Sequence, residues 1–358
     1  MMKSIKNSSH FHNGRARNHS MVIPTSLIVG SDKELRIIES YTTYPKVRGN
    51  KSMFRSLLQT FFMQESVNIP SVKSDIKTIP KQDSFVWFGH SSYMLWLNNK
   101  TILLDPVLDS TASPLPFVFK PFKGADIFSS NDLPSIDYLV ITHNHYDHLS
   151  KISLMLLKDK IGHVIVPLGI GKYLKSWGIE ESKIIELDWE EEFSRDDFTF
   201  YCLPTQHYSA RNLFDSNTSL WACFVLEYRT SESVKNIYFS GDSGYGGHFK
   251  VIGKRFRKID FAFIENGQYN IGWAKHHLFP HQSLQAALDL NAEKMMPIHN
   301  SKFKLAPHFW SEPLELLYAL YQEGLRNNRL NFSLITSKIG EITPLWKAVE
   351  TLCWWQDL

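Results

Sequence analysis

Four side chains of the kind that bind metal ions lie within six positions of one another: His143, His145, Asp147 and His148. Imidazole nitrogens and carboxylate oxygens are zinc ligands, and a catalytic zinc site uses about three protein ligands and keeps one position open. His143 and His145 are two positions apart on extended chain and therefore point to the same side. Asp147 and His148 are adjacent and reach the same place only if the chain curls. The spacing predicts a metal-binding loop (residues 143–148, the metal loop) rather than a polar surface loop that happens to be rich in histidine.

The elements on either side must position this loop. An apolar and β-branched run over residues 138–142 predicts a buried strand before it, and apolar spacing over residues 150–160 predicts a helix after it. Further helices are predicted over residues 171–177, 280–290 and 312–324. Strands that alternate with helices predict an α/β architecture with sheet at the centre and helices outside.

Several predicted strands end in a residue that can bind a metal ion. These residues are Asp105, His143, His207, Asp242 and His299. Strands that all carry such residues at their C-terminal ends are expected to converge on one edge of the sheets. Each residue alone is more often an ordinary hydrogen-bonded side chain, but the set together predicts one metal centre.

Composition sets broader bounds. The chain has 358 residues, 43% of them hydrophobic, and a net charge of +3, which is too mild to indicate a nucleic-acid partner. Its three cysteines, which lack metal-site spacing, favour a reducing compartment. With no secretory signal and no membrane span recognised, we expect a cytoplasmic protein, peripheral at most to the inner membrane surface.

The sequence suggests three regions. Residues 1–80 form an irregular, basic N-terminal arm with a short amphipathic helix over residues 53–63, residues 81–345 form the main domain, and residues 346–358 form a C-terminal tail. The arm either drapes over the main domain or meets anionic lipid.

The pattern of the metal loop, completed by His207, Asp242 and His299, resembles that of the metallo-β-lactamase superfamily over residues 84 to about 320. The resemblance implies a four-layer αββα sandwich that binds two metal ions. It assigns His143, His145 and His207 to the first ion and Asp147, His148 and His299 to the second, with Asp242 bridging the two. Asp147 and Asp242 would thereby be catalytic as well. Two divalent ions would hold a bridging hydroxide, and the ligand types favour zinc, although manganese or iron suits them too.

Two features depart from the superfamily's usual pattern. None of the seven positions is cysteine, unlike the zinc enzymes that hydrolyse antibiotics with a thiolate at the second ion. Ser150 stands where aspartate is more usual. Because this position is not one of the seven ligands, the change affects a contact to a ligand and not the ligand set.

Within the superfamily, the chain is most similar to bacterial proteins that resemble the N-acylphosphatidylethanolamine-hydrolysing phospholipase D. The motifs that carry this resemblance are residues 87–92 (WFGHSS), 104–106 (LDP), 206–211 (QHYSAR), 241–245 (GDSGY), 277–280 (HLFP) and 297–299 (PIH). The resemblance implies a phosphodiesterase that acts on a phospholipid or a smaller diester. Asn300, where the subgroup usually has tryptophan, would reshape the rim of the pocket.

Specific roles are also expected for five residues that are not metal ligands. Arg211 would hold a phosphate in a bidentate fork, and the alternative is a structural ion pair. His277 would contact substrate or protonate the leaving group, and the alternative is a hydrogen bond around the ligands. Tyr269 would line the substrate pocket, whereas His90 and Asp105 would orient the ligands.

Two other functions are open. A lactonase or other carbonyl hydrolase, of the ascorbate-6-phosphate lactonase type, would use the same hydroxide on carbon. A non-catalytic metal-binding protein is the second alternative, but the intact ligand set argues against it. A lipid substrate would also need an apolar groove near the site, for which Phe117, Phe119 and Phe122 are the candidates.

Overall fold

The computed structural model describes residue 5 and residues 8–18, 65–212 and 214–356. The helix predicted over residues 53–63 lies outside this part of the chain. Near the N-terminus, strands β1 (Phe11–His12) and β2 (Arg15–Ala16) form a small hairpin. No helix within the described ranges is both long and apolar enough to cross a bilayer.

Two seven-stranded sheets form the centre of the fold. The strands of the first sheet are β3 (Ser84–Trp87), β4 (Tyr93–Leu97), β5 (Lys100–Leu104), β6 (Ile136–Val140), β7 (Ile161–Pro167), β8 (Ile184–Leu187) and β16 (Ile342–Pro344). Their order is β16-β3-β4-β5-β6-β7-β8. Pairing is antiparallel from β16 to β5 and parallel from β5 to β8.

The second sheet is built in the same way. Its strands are β9 (Glu192–Arg195), β10 (Phe198–Leu203), β11 (Cys223–Arg229), β12 (Val234–Phe239), β13 (Phe261–Glu265), β14 (Lys294–Ile298) and β15 (Ser333–Leu334). Their order is β15-β14-β13-β12-β11-β10-β9, with parallel pairing from β12 to β15.

Among the described residues, five α-helices cover the outer faces of the sheets: α1 (Lys151–Leu157), α2 (Gly171–Ser176), α3 (His248–Phe256), α4 (Pro280–Asp289) and α5 (Glu312–Arg326). The helices predicted after the metal loop and near residues 171, 280 and 312 are thereby confirmed, whereas α3 was not predicted. Ser150 precedes helix α1 as its N-cap, because its side chain accepts a hydrogen bond from the Ser153 backbone.

Alternation along the strands explains why the sheets stack. In β3, Phe85 and Trp87 enter the core between the two sheets, whereas Val86 packs in the core under α1 and α2. A third core lies between the second sheet and helices α3, α4 and α5, where Tyr238 and Ala262 pack. Because both faces of each sheet are buried, the molecule is a four-layer αββα sandwich, and the predicted fold class is confirmed.

The segments assigned to the arm and the tail take part in these cores where they are described. Ile69 lies in the core between the sheets and Ile76 in the core under α1 and α2. Trp354 and Trp355 also lie between the sheets, with exposures of 2% and 3%. Residues of both segments, 65–80 and 346–356, therefore pack into the same cores as residues 81–345.

Candidate metal centre

The polar residues that follow the strands meet at one edge of the sandwich. The metal loop follows β6 in the first sheet, whereas His207, Asp242 and His299 follow β10, β12 and β14 in the second. The Ala222 backbone donates to the Thr142 carbonyl at 2.9 Å, which ties the two sheets together beside the metal loop. The predicted convergence of strand ends is therefore present.

A first group of side chains places four donor atoms around one point. His143 Nε2 lies 2.9 Å from His145 Nδ1, and His207 Nε2 lies 3.2 Å from the same atom. Asp242 Oδ2 is 3.7 Å from His143 Nε2 and 3.6 Å from His207 Nε2. Four donors at about 2.0–2.1 Å from a tetrahedral zinc ion are separated by about 3.3 Å, so this set has the size of a metal site.

A second group shares Asp242 with the first. Its other oxygen, Oδ1, lies 3.0 Å from both His148 Nε2 and His299 Nε2. Asp147 Oδ2 is 3.5 Å from His148 Nε2 and 3.4 Å from His299 Nε2. The structure thus brings together all seven predicted ligands, divided between two groups as expected, with one oxygen of Asp242 facing each group.

Burial governs the protonation of the first group. It lowers the pKa of His143 and His207 well below the usual histidine value and that of His145 to about 4. Burial opposes ionisation of Asp242, but the imidazoles of His148 and His299 hold its pKa well below the usual aspartate value. Neutral imidazoles beside an ionised carboxylate are the form in which these groups bind a metal ion.

In the second group, the carboxylates of Asp147 and Asp242 stabilise a positive charge on the neighbouring histidines. Burial by itself lowers the pKa of His148 and His299, but Asp242 and Asp147 raise that of His148 well above its usual value and that of His299 to about 10. A divalent cation supplies the same positive charge. His148 Nε2 and Asp242 Oδ1 are buried and lie 3.0 Å apart, but they are not aligned for a hydrogen bond with each other or with another described residue. The donor set therefore fits a metal ion at each group.

His90 and Asp105 occupy positions from which they orient the ligands. Asp105 Oδ2 accepts from Thr142 Oγ1 at 2.6 Å and lies 2.8 Å from His148 Nδ1, while His90 Nε2 lies 2.9 Å from Asp147 Oδ2. His90 and Asp105 have φ angles of 54° and 38°, in the left-handed region that disfavours residues with a side chain. Such strain is retained where surrounding contacts fix the backbone, as they do here.

Glu265 is a site residue that the sequence interpretation missed. Its buried carboxylate accepts from the Ser243 backbone at 2.6 Å, pairs with His277 Nδ1 and lies 3.4 Å from His299 Nδ1. The signal was present, since Glu265 is the last residue of β13, but a lone glutamate there carries no motif. Its pairing leaves Nε2 as the atom of His277 available to a bound molecule.

An open cavity of about 510 Å³ lies over the two groups. Its walls combine ligands with apolar and aromatic side chains: Ala112, Phe119, His145, Tyr146, Asp147, Tyr208, Ala210, Asp242, Gln268, Gly272, Trp273, His276, His277, His299 and Leu305. His277 therefore borders the cavity, as expected. Of the three phenylalanines predicted to form an apolar groove, Phe119 lines this cavity, whereas Phe117 is exposed and Phe122 is buried between the sheets.

The structure corrects the roles predicted for Arg211, Tyr269 and Asn300. The Arg211 guanidinium donates to backbone carbonyls of the metal loop region rather than facing the cavity. The Tyr269 hydroxyl donates to Glu312 at 2.9 Å, and its ring is 3% exposed and stacked on His308. Asn300 is buried and donates to the Ile298 carbonyl at 3.1 Å, so it does not form the rim.

The Beta-lactamase superfamily domain model matches residues 100–300, which is more than half of the chain. This range includes the whole metal loop and the three later ligands. The protein therefore belongs to the metallo-β-lactamase superfamily.

Its relatives include an uncharacterized protein of Mycobacterium tuberculosis, 35% identical over 237 residues, which cover 65% of this chain and 62% of the relative. The chain thus spans about three fifths of the length of the curated relatives it matches first. The N-acyl-phosphatidylethanolamine-hydrolyzing phospholipase D 1 of Caenorhabditis elegans is 28% identical over 338 residues, which cover 87% of this chain and 92% of that protein. The resemblance to this subgroup is confirmed.

Solved structures share the fold at low identity. The isothiocyanate hydrolase from Delia radicum gut bacteria has a TM-score of 0.54 at 18% identity, with 73% of this chain and 98% of that chain covered. The diiron β-hydroxylase CmlA from Streptomyces venezuelae has a TM-score of 0.56 at 17% identity, with 74% and 54% covered.

Proposed function

We propose that this protein is a hydrolase with two metal ions, most suitably zinc, that cleaves phosphodiesters of the N-acylated phosphatidylethanolamine type. One observation carries the proposal. Asp242 lies between the two groups of ligand-type side chains, with Oδ2 facing the first group and Oδ1 facing the second, and it lines an open cavity. Two bound divalent ions would stabilise charge on the phosphoryl oxygens and supply an activated water at neutral pH.

The cavity walls favour a diester with apolar substituents. Phe119, Trp273 and Leu305 line the cavity together with the ligands, and the described lining contains no lysine or arginine. A diester carries a single negative charge, which two divalent ions can balance. A lactone with a terminal phosphomonoester would need a further cation for its second charge, so the cavity gives less support to the ascorbate-6-phosphate lactonase alternative.

His277 is the residue we assign to the leaving group. Glu265 holds its Nδ1, which fixes the orientation of the imidazole and leaves Nε2 on the cavity side. An imidazole in this position can deliver a proton to the departing alkoxide oxygen.

A phospholipid substrate also implies contact with a membrane surface. Leu115 and Phe117 expose 48% and 65% of their surface. Their position in the segment that carries Phe119 supports such a contact near the cavity.

The test uses the purified full chain and three substrates: bis-p-nitrophenyl phosphate, vesicles containing N-acylated phosphatidylethanolamine, and a panel of lactones. Each is assayed with zinc and with manganese, and the bound metal is measured by elemental analysis. We expect two metal ions per chain and hydrolysis of both diesters. Turnover of lactones alone, or no metal binding, would contradict the proposal.

Two aspartate variants sharpen this test. Asp242→Asn should lose most of the activity together with bound metal, because the bridging carboxylate is gone. Asp137→Asn is the matched control, since Asp137 lies in β6 before the metal loop and pairs with Lys100 at 3.1 Å, away from the ligands. Its activity should remain.

A further inference from the structure

Arg211 connects two of the three loops that carry the first group of ligands, the metal loop and the loop of His207. It lies four residues after His207, and its Nη1 donates to the carbonyls of Asn144 at 3.0 Å and Leu149 at 2.7 Å. Asn144 follows the first residue of the metal loop, and Leu149 follows the last. One guanidinium nitrogen therefore fastens both ends of the metal loop to the loop of His207.

Aromatic rings hold the guanidinium in place. Its central carbon lies 4.1 Å from the centroid of the Tyr146 ring, in the metal loop, and 5.1 Å from that of Trp177, which follows α2. Arginine stacks on aromatic faces and donates in a fixed planar fork, and lysine reproduces neither property. The contact thus fixes both the position and the orientation of the side chain.

Asp215 anchors the backbone from which Arg211 extends. Its Oδ1 accepts from the Arg211 backbone at 2.8 Å, and its Oδ2 accepts from the Tyr173 hydroxyl at 2.9 Å. Tyr173 belongs to α2, so the loop after His207 is tied to a helix of the outer layer. Contacts within the protein therefore hold the backbone of Arg211.

We propose that Arg211 is a positioning residue that clamps the metal loop in the shape in which His143 and His145 converge with His207. This inference rests on the proposed metal centre, since the clamp acts on its ligands. Both hydrogen-bond acceptors are backbone carbonyls, so these hydrogen bonds of Arg211 fix the geometry of the metal loop. Its function would then be to raise metal affinity without touching metal or substrate.

The experiment measures metal affinity directly. Zinc dissociation constants are determined by competition with a chromophoric chelator for the wild type, Arg211→Gln and Arg211→Lys, and the absorption spectrum of the cobalt-loaded protein reports ligand geometry. The matched control is Arg255→Gln, because Arg255 also stacks on two rings, at 5.1 and 5.3 Å, but pairs with Glu190 away from the metal loop.

We expect Arg211→Gln to weaken zinc binding by about 10–100-fold, the effect typical of residues that orient metal ligands. Arg211→Lys should recover part of this loss, and Arg255→Gln should bind as the wild type does. The cobalt spectrum should change in the Arg211 variants alone.

The two proposals fail in distinguishable ways. If the wild type binds no metal, the proposed function and this inference both fall. If the wild type binds metal and the Arg211 variants bind it as tightly as Arg255→Gln, only the inference is overturned. Should Arg211→Gln fail to fold, Arg211→Lys decides, and unchanged affinity and spectrum in that variant overturn the clamp.

Discussion

At the residue scale, the contact between Asp105 and His148 shows how a carboxylate can orient a metal-binding histidine. Asp105 holds one nitrogen of the imidazole ring, and the opposite nitrogen then faces the metal centre. Asp105 Oδ2 lies 2.8 Å from His148 Nδ1, which fixes the proton on that nitrogen and turns Nε2 toward Asp242. The same oxygen accepts from Thr142, so the carboxylate is itself held. A neighbour of this kind is expected to tune metal affinity without binding the metal.

Replacing Asp105 by Asn should therefore weaken binding of the second metal ion by about 10–100-fold. The amide carries no charge and presents a donor group beside the His148 ring and the Thr142 hydroxyl. Metal titration followed by calorimetry measures the effect. Asp109→Asn is the control, because Asp109 accepts from the Ser130 backbone at 2.8 Å instead of contacting a ligand. If Asp105→Asn binds the second metal ion as tightly as the wild type does, Asp105 does not orient His148 for metal binding.

Glu312 predicts a pH dependence of stability that is separate from the metal centre. Burial raises its pKa from 4.5 to about 7, against the hydrogen bond from Tyr269, which lowers it. A carboxyl group whose pKa is higher in the folded state binds protons more tightly there, so stability falls as the pH rises from about 4.5 to 7. The shift corresponds to at most about 3 kcal/mol.

The variant Glu312→Gln should accordingly lose part of the difference in unfolding free energy between pH 5 and pH 8. Urea unfolding at the two pH values measures this difference. Glu315→Gln serves as the control, since Glu315 lies on the exposed side of the same helix. If wild type and Glu312→Gln respond equally to pH, Glu312 is not the group responsible.

The convergence of the seven ligand-type residues could be predicted from residue types and order, but the contacts of their neighbours could not. Arginine can donate to phosphate oxygens as well as to backbone carbonyls, so only the fold shows that the Arg211 guanidinium lies against Asn144 and Leu149. Glu265 was missed for a similar reason. Its carboxylate acquires a role only once β13 lies beside β12 and β14.

At the element scale, close approach between loops decides where His299 lies. A Cβ atom at Gly267, which follows β13, would come within 2.1 Å of the His299 carbonyl oxygen. His299 itself has a φ angle of 68°, so its backbone has little freedom to give way. Gly267 thus permits the parallel strands β13 and β14 to deliver their loops side by side.

We expect Gly267→Ala to lower the free energy of unfolding by about 1–3 kcal/mol, as over-packing does, and to reduce occupancy of the second metal ion. Chemical unfolding and elemental analysis measure the two effects. Gly178→Ala is a useful comparison, because Gly178 has a φ of 87° but open space around it. That variant should lose stability and keep both metal ions, and equal metal loss in both variants would contradict the steric explanation.

The elements that the sequence predicted are those with continuous apolar faces. Helices α4 and α5 show apolar spacing over 10 and 15 residues, and the central strands are buried along their length. Helix α3 was not predicted although Phe249, Ile252 and Phe256 follow helical spacing, because it has only nine residues and Gly253 lies on its buried face. Strands β15 and β16 have two and three residues, too few to show a period.

At the scale of the whole molecule, the layers depend on a segment that the sequence suggested was a tail. The Trp354 ring lies 6.5 Å from that of Trp87 and 6.2 Å from that of Trp310, in the core between the sheets. The sequence around residue 354 does not show which distant strands this segment contacts. The aromatic residues of the segment alone therefore could not predict its packing between the sheets.

Replacing Trp354 by Ala should lower the free energy of unfolding by about 3–5 kcal/mol, because a large buried ring leaves a cavity. Urea denaturation followed by circular dichroism measures the loss. Leu352→Ala, at a position that is 40% exposed, should change stability far less. Equal effects of the two substitutions would show that the tail does not contribute to the core.

The pairing of β16 with β3 also constrains the order of events during synthesis. Residues 342–344 complete the edge of a sheet whose neighbouring strand, residues 84–87, is translated more than 250 residues earlier. During synthesis, strand β3 lacks this partner until residues 342–344 have left the ribosome, and unpaired edge strands promote association between chains. Stalled or prematurely terminated translation products of this gene are therefore expected to aggregate or require chaperones.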